Sequence, residues 1–339
     1  MDRALVFGTK CWGFDSLPGH HVTPPVPAQG DFCLFARDGS AILGQHPPHS
    51  KAPIMRTPHP IRWPAGYRSA VALAFDVDGP SGDAMLDDSL LDNLRYFGEG
   101  SYGPYRAVPR LLDLLAQYQL HATFFIPTWV VTHWTSLCER ILAAGHEVAY
   151  HGHRHEVFFD LTIEQQHAVM EQSRTIFQQR LGITPTGFRT PSGDWSTATA
   201  TLLHTFGVKY SSSMRGDDRP YFHPAATGGH GLVELPARWD MDDYTALAYF
   251  EDPAFPSGLD RLADYRAVMR NWSAEFQGYH RDGLFWTTIL HPKVSAKPGR
   301  LSILEGLFQT IRQYDDVWVA RGNDVADWWI QQYGQGGKK

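Results

Sequence analysis

The 339-residue chain is 43% hydrophobic and 13% aromatic, long and apolar enough to bury one large core. Its formal charge of -6 comes without long like-sign runs, which argues against nucleic-acid and anionic-membrane binding and favours a small or neutral substrate. Three cysteines, Cys11, Cys33 and Cys138, show no paired spacing, so they read as small buried hydrophobes in a reducing compartment, not as a disulfide framework.

The opening stretch MDRALVFGTKCWGFDS has only a short apolar run before Gly8 and Lys10, and no other stretch approaches a membrane span, so the cytoplasm is the expected location. Residues 1–66 carry ten prolines between Pro18 and Pro64, which break any long helix. This segment reads as an extension wrapping the main body, with strand-like pieces only at 31–35 and 41–43. The catalytic body is expected over 67–339. Val71 to Phe75 is a continuous apolar run of strand length, the kind buried on both faces of a parallel sheet. A helix follows over 107–118, with Val108, Leu111, Leu112 and Leu115 on one face. Strand 122–126, helix 135–144 ended by Gly145, and strand 147–150 come next. Thr162 with Gln165 has the spacing of a capping box for a helix reaching Leu181 and closed by Gly182. Strand 187–189, helix 197–206 after Ser196, strands 209–211 and 232–235, and a helix near 260–278 continue the alternation. Strand 284–290, helix 301–314, strand 317–320 and a last helix from about Asp324 complete it. The pattern predicts a (β/α) barrel, with an open doubly wound sheet as the alternative.

Polar residues cluster where such barrels build active sites, at the C-terminal ends of strands. Asp76 and Asp78 in Phe75-Asp76-Val77-Asp78-Gly79 are two residues apart, so in extended chain they share a face, and a divalent cation would relieve their repulsion. One would then be a ligand and the other a base. His151 and His155, in His-Gly-His-Arg-His, have the spacing of a one-turn metal clamp from which His153 points away. Two imidazoles and one carboxylate leave an open coordination position, the mark of a catalytic site. Arg189, leaving a strand into Thr190-Pro191-Ser192-Gly193, would orient a carboxylate beside it. His291, at the end of an apolar strand, is a candidate proton donor to a leaving nitrogen. Trp195, Met214, Trp239 and Asp243 are candidate substrate-binding residues, each of which could equally pack or cap.

These motifs in this order resemble the polysaccharide deacetylase, or NodB-homology, family (carbohydrate esterase family 4-like), whose members are metal-dependent hydrolases on a distorted (β/α)7 barrel. The likeness covers about residues 68–330. The inserted Val77 is similar to the branch holding peptidoglycan-deacetylase-like proteins, cyclic imide hydrolases and PuuE-type allantoinases. So are YGPYRAVPRLLDLLAQY, HATFFIP, AGHEVAYHGHRHE, FRTPSGDWS, YSSSMRGDDRPY, VELPARWDMDD and TTILHPKVSAKPGR. The resemblance implies Asp78, His151 and His155 as ligands of a divalent metal, Zn2+ or else Co2+ or Ni2+. It further implies Asp76 as catalytic base, Arg189 as its tether, His291 as acid, and a homodimer or homotetramer.

Together these readings predict hydrolysis of a non-peptide C–N bond in a small cyclic amide, imide or ureide. The alternatives are N-deacetylation of an amino sugar, oligosaccharide or peptidoglycan, and a non-catalytic metal- or ligand-binding barrel.

Overall fold

The computed structural model describes residues 60–84, 88–225, 230–248 and 263–334, together with two short strands, Leu34–Phe35 and Ala41–Ile42, that pair antiparallel. The chain divides into two units, Met1–Lys51 and Ala52–Lys339. Cys11, Cys33 and the remaining residues up to 59, and with them the expected wrapping by that segment, lie outside the described residues. Residues at the start of the second unit pack on its barrel: Trp63 is buried against Trp318 and Trp329, and its indole donates to the Gly283 carbonyl at 2.9 Å.

The barrel begins with Ser69–Ala72, which breaks at Leu73 and resumes as Ala74–Asp76. Phe285–Thr287 and Val317–Val319 flank its first half in parallel, and Thr123–Ile126 flanks its second. Parallel pairing then runs through Glu147–Tyr150, Gly187–Phe188, Tyr210–Ser211 and Val233–Glu234. Single bridges from Asp242 to Ile289 and from Leu290 to Phe75 close the circuit. This is the predicted seven-stranded barrel. It is distorted because its last strand is held by isolated bridges near the site, and Val317–Val319 is inserted at the opposite end.

The apolar period sets the outer layer. In helix Val108–Gln117 the predicted face is buried, and Thr162 and Gln165 cap helix Ile163–Leu181 reciprocally before Gly182 ends it at φ 67°. Helix Leu94–Tyr102 is among the elements that the sequence reading did not place. Packing overrides propensity there: a Cβ on Gly100 would lie 2.5 Å from Pro80 Cα, so the glycine lets this helix close on the turn after Asp78. Cys138 is a free, buried thiol whose pKa burial pushes up to about 12, as befits a packing residue. No helix among the described residues is long and apolar enough to cross a membrane.

At the end of the barrel away from the predicted site, Glu147 is buried and accepts from Thr123 Oγ1 at 2.8 Å, Tyr210 Oη at 3.0 Å and the Asn323 backbone N–H at 3.0 Å. It thereby ties two strands to the first turn of helix Gly322–Tyr333. Burial outweighs these donors and lifts its pKa from an ordinary 4.5 to about 7. Between those values the folded chain holds a proton that the unfolded chain releases, so this group's contribution to stability falls as pH rises. Glu147→Gln is therefore expected to gain about 3 kcal/mol on the parent between pH 4.5 and 7, read from urea unfolding at each pH. A difference that stays flat across this window would contradict the assignment.

Candidate active site

Barrel closure assembles the site. The Asp76 backbone N–H donates to Leu290 O at 2.8 Å, setting Asp76 beside the residue that precedes His291, while parallel pairing of Tyr150 with Phe188 sets His151 next to Arg189. Asp76, Asp78, His151, His155, Arg189 and His291 are all buried, none more than 8% exposed.

Arg189 Nη1 donates to Asp76 Oδ1 at 2.8 Å. The rest of the guanidinium is spent on Ser212 O at 2.8 Å, Ser212 Oγ at 2.8 Å and Thr288 O at 3.1 Å, with the Phe125 ring 4.3 Å from its carbon. Every edge of the fork is fixed, so Asp76 is held in one orientation.

On the other side, Asp78 Oδ1 lies 3.4 Å from His151 Nε2 and 3.7 Å from His155 Nε2. His151 Nδ1 donates to the Arg189 carbonyl at 2.8 Å, which fixes the tautomer and turns the Nε2 lone pair towards Asp78. The expected helical turn between the two histidines is absent: residues 151–156 form an irregular loop. Glu156 folds it by accepting from the backbone N–H groups of His153 and Arg154 at 2.9 Å each. Gly152 at φ 72° has no room for a Cβ, which would meet Glu156 Oε2 at 2.6 Å, and His155 itself is left-handed at φ 63°. A β-carbon makes that conformation cost about 1–2 kcal/mol, strain of the kind stored at functional sites. His153 turns away to Thr128 and Gln172, as the spacing predicted.

His291 Nε2 sits 3.8 Å from Asp78 Oδ2 and 4.0 Å from Asp76 Oδ2. Its Nδ1 donates to Asp243 Oδ1 at 2.7 Å, and its backbone N–H donates to Asp243 Oδ2 at 2.8 Å. Burial alone would lower the imidazole, but Asp243, Asp78 and Asp242 push it up to about 10, so the ring is a proton-bearing acid at neutral pH. For Asp78 burial is likewise outweighed, and His155, His291 and His151 hold the carboxyl well below its usual range.

A family model described as polysaccharide deacetylase matches residues 100–211. A peptidoglycan deacetylase of Helicobacter pylori is 29% identical over 284 residues, covering 76% of this chain and 94% of the relative. A solved Mycobacterium smegmatis structure assigned to the polysaccharide deacetylases is 31% identical, covering 80% of this chain and 94% of its own, with a TM-score of 0.76. The chain belongs to the polysaccharide deacetylase family. The PuuE allantoinase structure shares the fold at a TM-score of 0.70 and 19% identity, with 83% and 96% of the two chains covered. As a member of the polysaccharide deacetylase family, the protein is a hydrolase of carbon–nitrogen bonds other than peptide bonds.

Deacetylases of this family depend on a metal, and the donor set of this chain fits one. The ligand atoms of Asp78, His151 and His155 lie within 4.8 Å of one another, and Asp78 Oδ1 is buried with no hydrogen-bond partner. Asp242, Asp243 and His291 form a second such triad, but there both carboxylate oxygens of Asp243 are already taken by His291.

The polysaccharide deacetylase barrel places the candidate substrate-binding residues unevenly. Asp243 does not line a pocket: it is fully buried and committed to His291. Trp195 is only 8% exposed, in the core against Phe188, because the turn after Arg189 folds inward. Met214 is half-buried against the core, and Trp239 is 54% exposed. Ser212, Thr288 and Asp243 escaped sequence reasoning in their roles; only the pairing of Gly187–Phe188 with Tyr210–Ser211, unreadable from composition, puts Ser212 beside Arg189.

Asp243→Asn is expected to lower the His291 pKa and bring down the alkaline limit of activity, because the group raising it loses its charge. NMR titration of the imidazole checks this, and an unmoved titration would contradict it.

Proposed function

We propose that the protein hydrolyses an amide C–N bond with Asp76 as general base, His291 as general acid and Asp78, His151 and His155 as ligands of one divalent metal, Zn2+ in the first instance. A single observation carries this: two proton-handling groups, each locked by its own partner, meet beside one candidate metal ligand. Arg189 holds Asp76 and Asp243 holds His291, whose Nε2 lies 4.0 Å from Asp76 Oδ2 and 3.8 Å from Asp78 Oδ2. A divalent ion held there supplies a Lewis acid that polarises a carbonyl and acidifies water. Asp76 takes a proton from the attacking water as its oxygen bonds to the carbonyl carbon. His291 gives its Nε2 proton to the nitrogen as the C–N bond breaks, while Asp243 keeps the ring in place. Carboxylic acid and amine are the products.

For the substrate, burial of all six side chains, which leaves little of the catalytic groups exposed, supports a small amide, imide or ureide ring. A second reading, N-deacetylation of an amino sugar, is supported by the likeness to the Helicobacter pylori peptidoglycan deacetylase over 94% of that relative. Product analysis of the zinc-loaded protein with hydantoin, succinimide, allantoin and N-acetylglucosamine separates them, since ring opening yields one product and deacetylation releases acetate. Ring opening supports the first reading and acetate the second. Turnover of none would contradict both.

A further inference from the structure

Among the described residues, Arg215 is a half-buried cation with no carboxylate in contact, held against the turn that follows Arg189. It lies just past strand Tyr210–Ser211, and its Nη1 makes one long hydrogen bond, 3.3 Å, to Gly193 O in the turn that follows Arg189. Its guanidinium carbon lies 4.0 Å from the centre of the exposed Trp239 ring, which covers one face and fixes the plane. Nε is buried and has no partner. Neighbouring arginines are neutralised, Arg189 by Asp76, Arg219 by Asp217 and Arg238 by Asp218 and Asp240. Arg215 forms no ion pair among the described residues. Asp242, Asp194 and Glu234 act on it through space without touching it, and burial outweighs them.

A half-buried guanidinium with no carboxylate in contact carries a desolvation cost that a contacting anion would offset further. We propose that Arg215, braced on Trp239, is the recognition site for a carboxylate carried by the substrate, so that this hydrolase selects anionic amides over neutral ones. Trp239 covers a face of the fork, so a planar carboxylate would pair with it edge-on. The inference rests on the hydrolase reading above and narrows its substrate class to an amide bearing a carboxylate away from the scissile bond.

The test is calorimetric affinity of the zinc-loaded protein for two matched pairs, hydantoin with hydantoin-5-acetate and N-acetylglucosamine with N-acetylmuramate. The anionic member of at least one pair is expected to bind tighter by about 10-fold or more. That ratio should fall to about 1 in R215Q and recover in part in R215K, which keeps the charge and loses the fork. A parent ratio near 1 for both pairs, or a ratio unchanged in R215Q, overturns the proposal. Should R215Q not fold, a ratio in R215K equal to the parent's overturns it instead. Hydrolysis is scored separately: turnover without anion preference sinks this site alone, whereas anion preference without turnover of any compound sustains it and counts against the catalytic reading.

Discussion

Asp76→Asn is expected to lower kcat by about 10²–10⁴-fold, the range for loss of a positioned general base, with one metal still bound per chain. The amide keeps the shape of the carboxylate and an oxygen for Arg189 Nη1, but it cannot take a proton from water. The geometry separates this variant from loss of the neighbouring aspartate, because Asp78, not Asp76, faces His151 and His155. Steady-state rates beside metal analysis check both halves. If Asp76→Asn loses the metal while Asp78→Asn retains it, the two aspartates have exchanged roles and the assignment fails.

Arg189→Met is expected to cost about 3–5 kcal/mol of stability, the penalty for leaving one partner of a buried ion pair uncompensated, and to take the activity with it. The Asp76 side chain is 4% exposed and would lose the cation that orients it. The Ser212 and Thr288 oxygens would lose their donor at the same time, loosening two neighbouring strands. Arg189→Lys should restore part of the stability but little activity, since a single ammonium cannot hold Asp76 and Ser212 together. Urea unfolding with parallel rates reads both effects. A methionine variant as stable as the parent would show that the pair is not what holds this end of the barrel.

Much of the fold was legible because strands buried on both faces and helices with one apolar face write different periods into the chain. The run Val71 to Phe75 and the stripe through Val108, Leu111, Leu112 and Leu115 both lie where those periods placed them. Helix Leu94–Tyr102 was not legible, since Gly100 serves a contact with Pro80 that no local pattern records. In the site, strand-end placement pointed to Asp76, Asp78, His151, His155, Arg189 and His291, which the barrel gathers in one place. The His151–His155 spacing suggested a helical turn because i,i+4 contacts are the usual use of that interval. The loop reaches the same juxtaposition through Glu156 and two left-handed residues, a route that spacing cannot show. Asp243 looked like a pocket residue because its partner, His291, is 48 positions away in sequence and becomes adjacent only on barrel closure.

The division of labour between the two buried triads is the centre of this account, and anomalous X-ray scattering from crystals carrying one equivalent of zinc tests it most directly. A single peak bonded to Asp78, His151 and His155 at about 2.0–2.2 Å is expected, with His291 still hydrogen-bonded to Asp243. A peak among Asp242, Asp243 and His291, or none at the first triad, would contradict it.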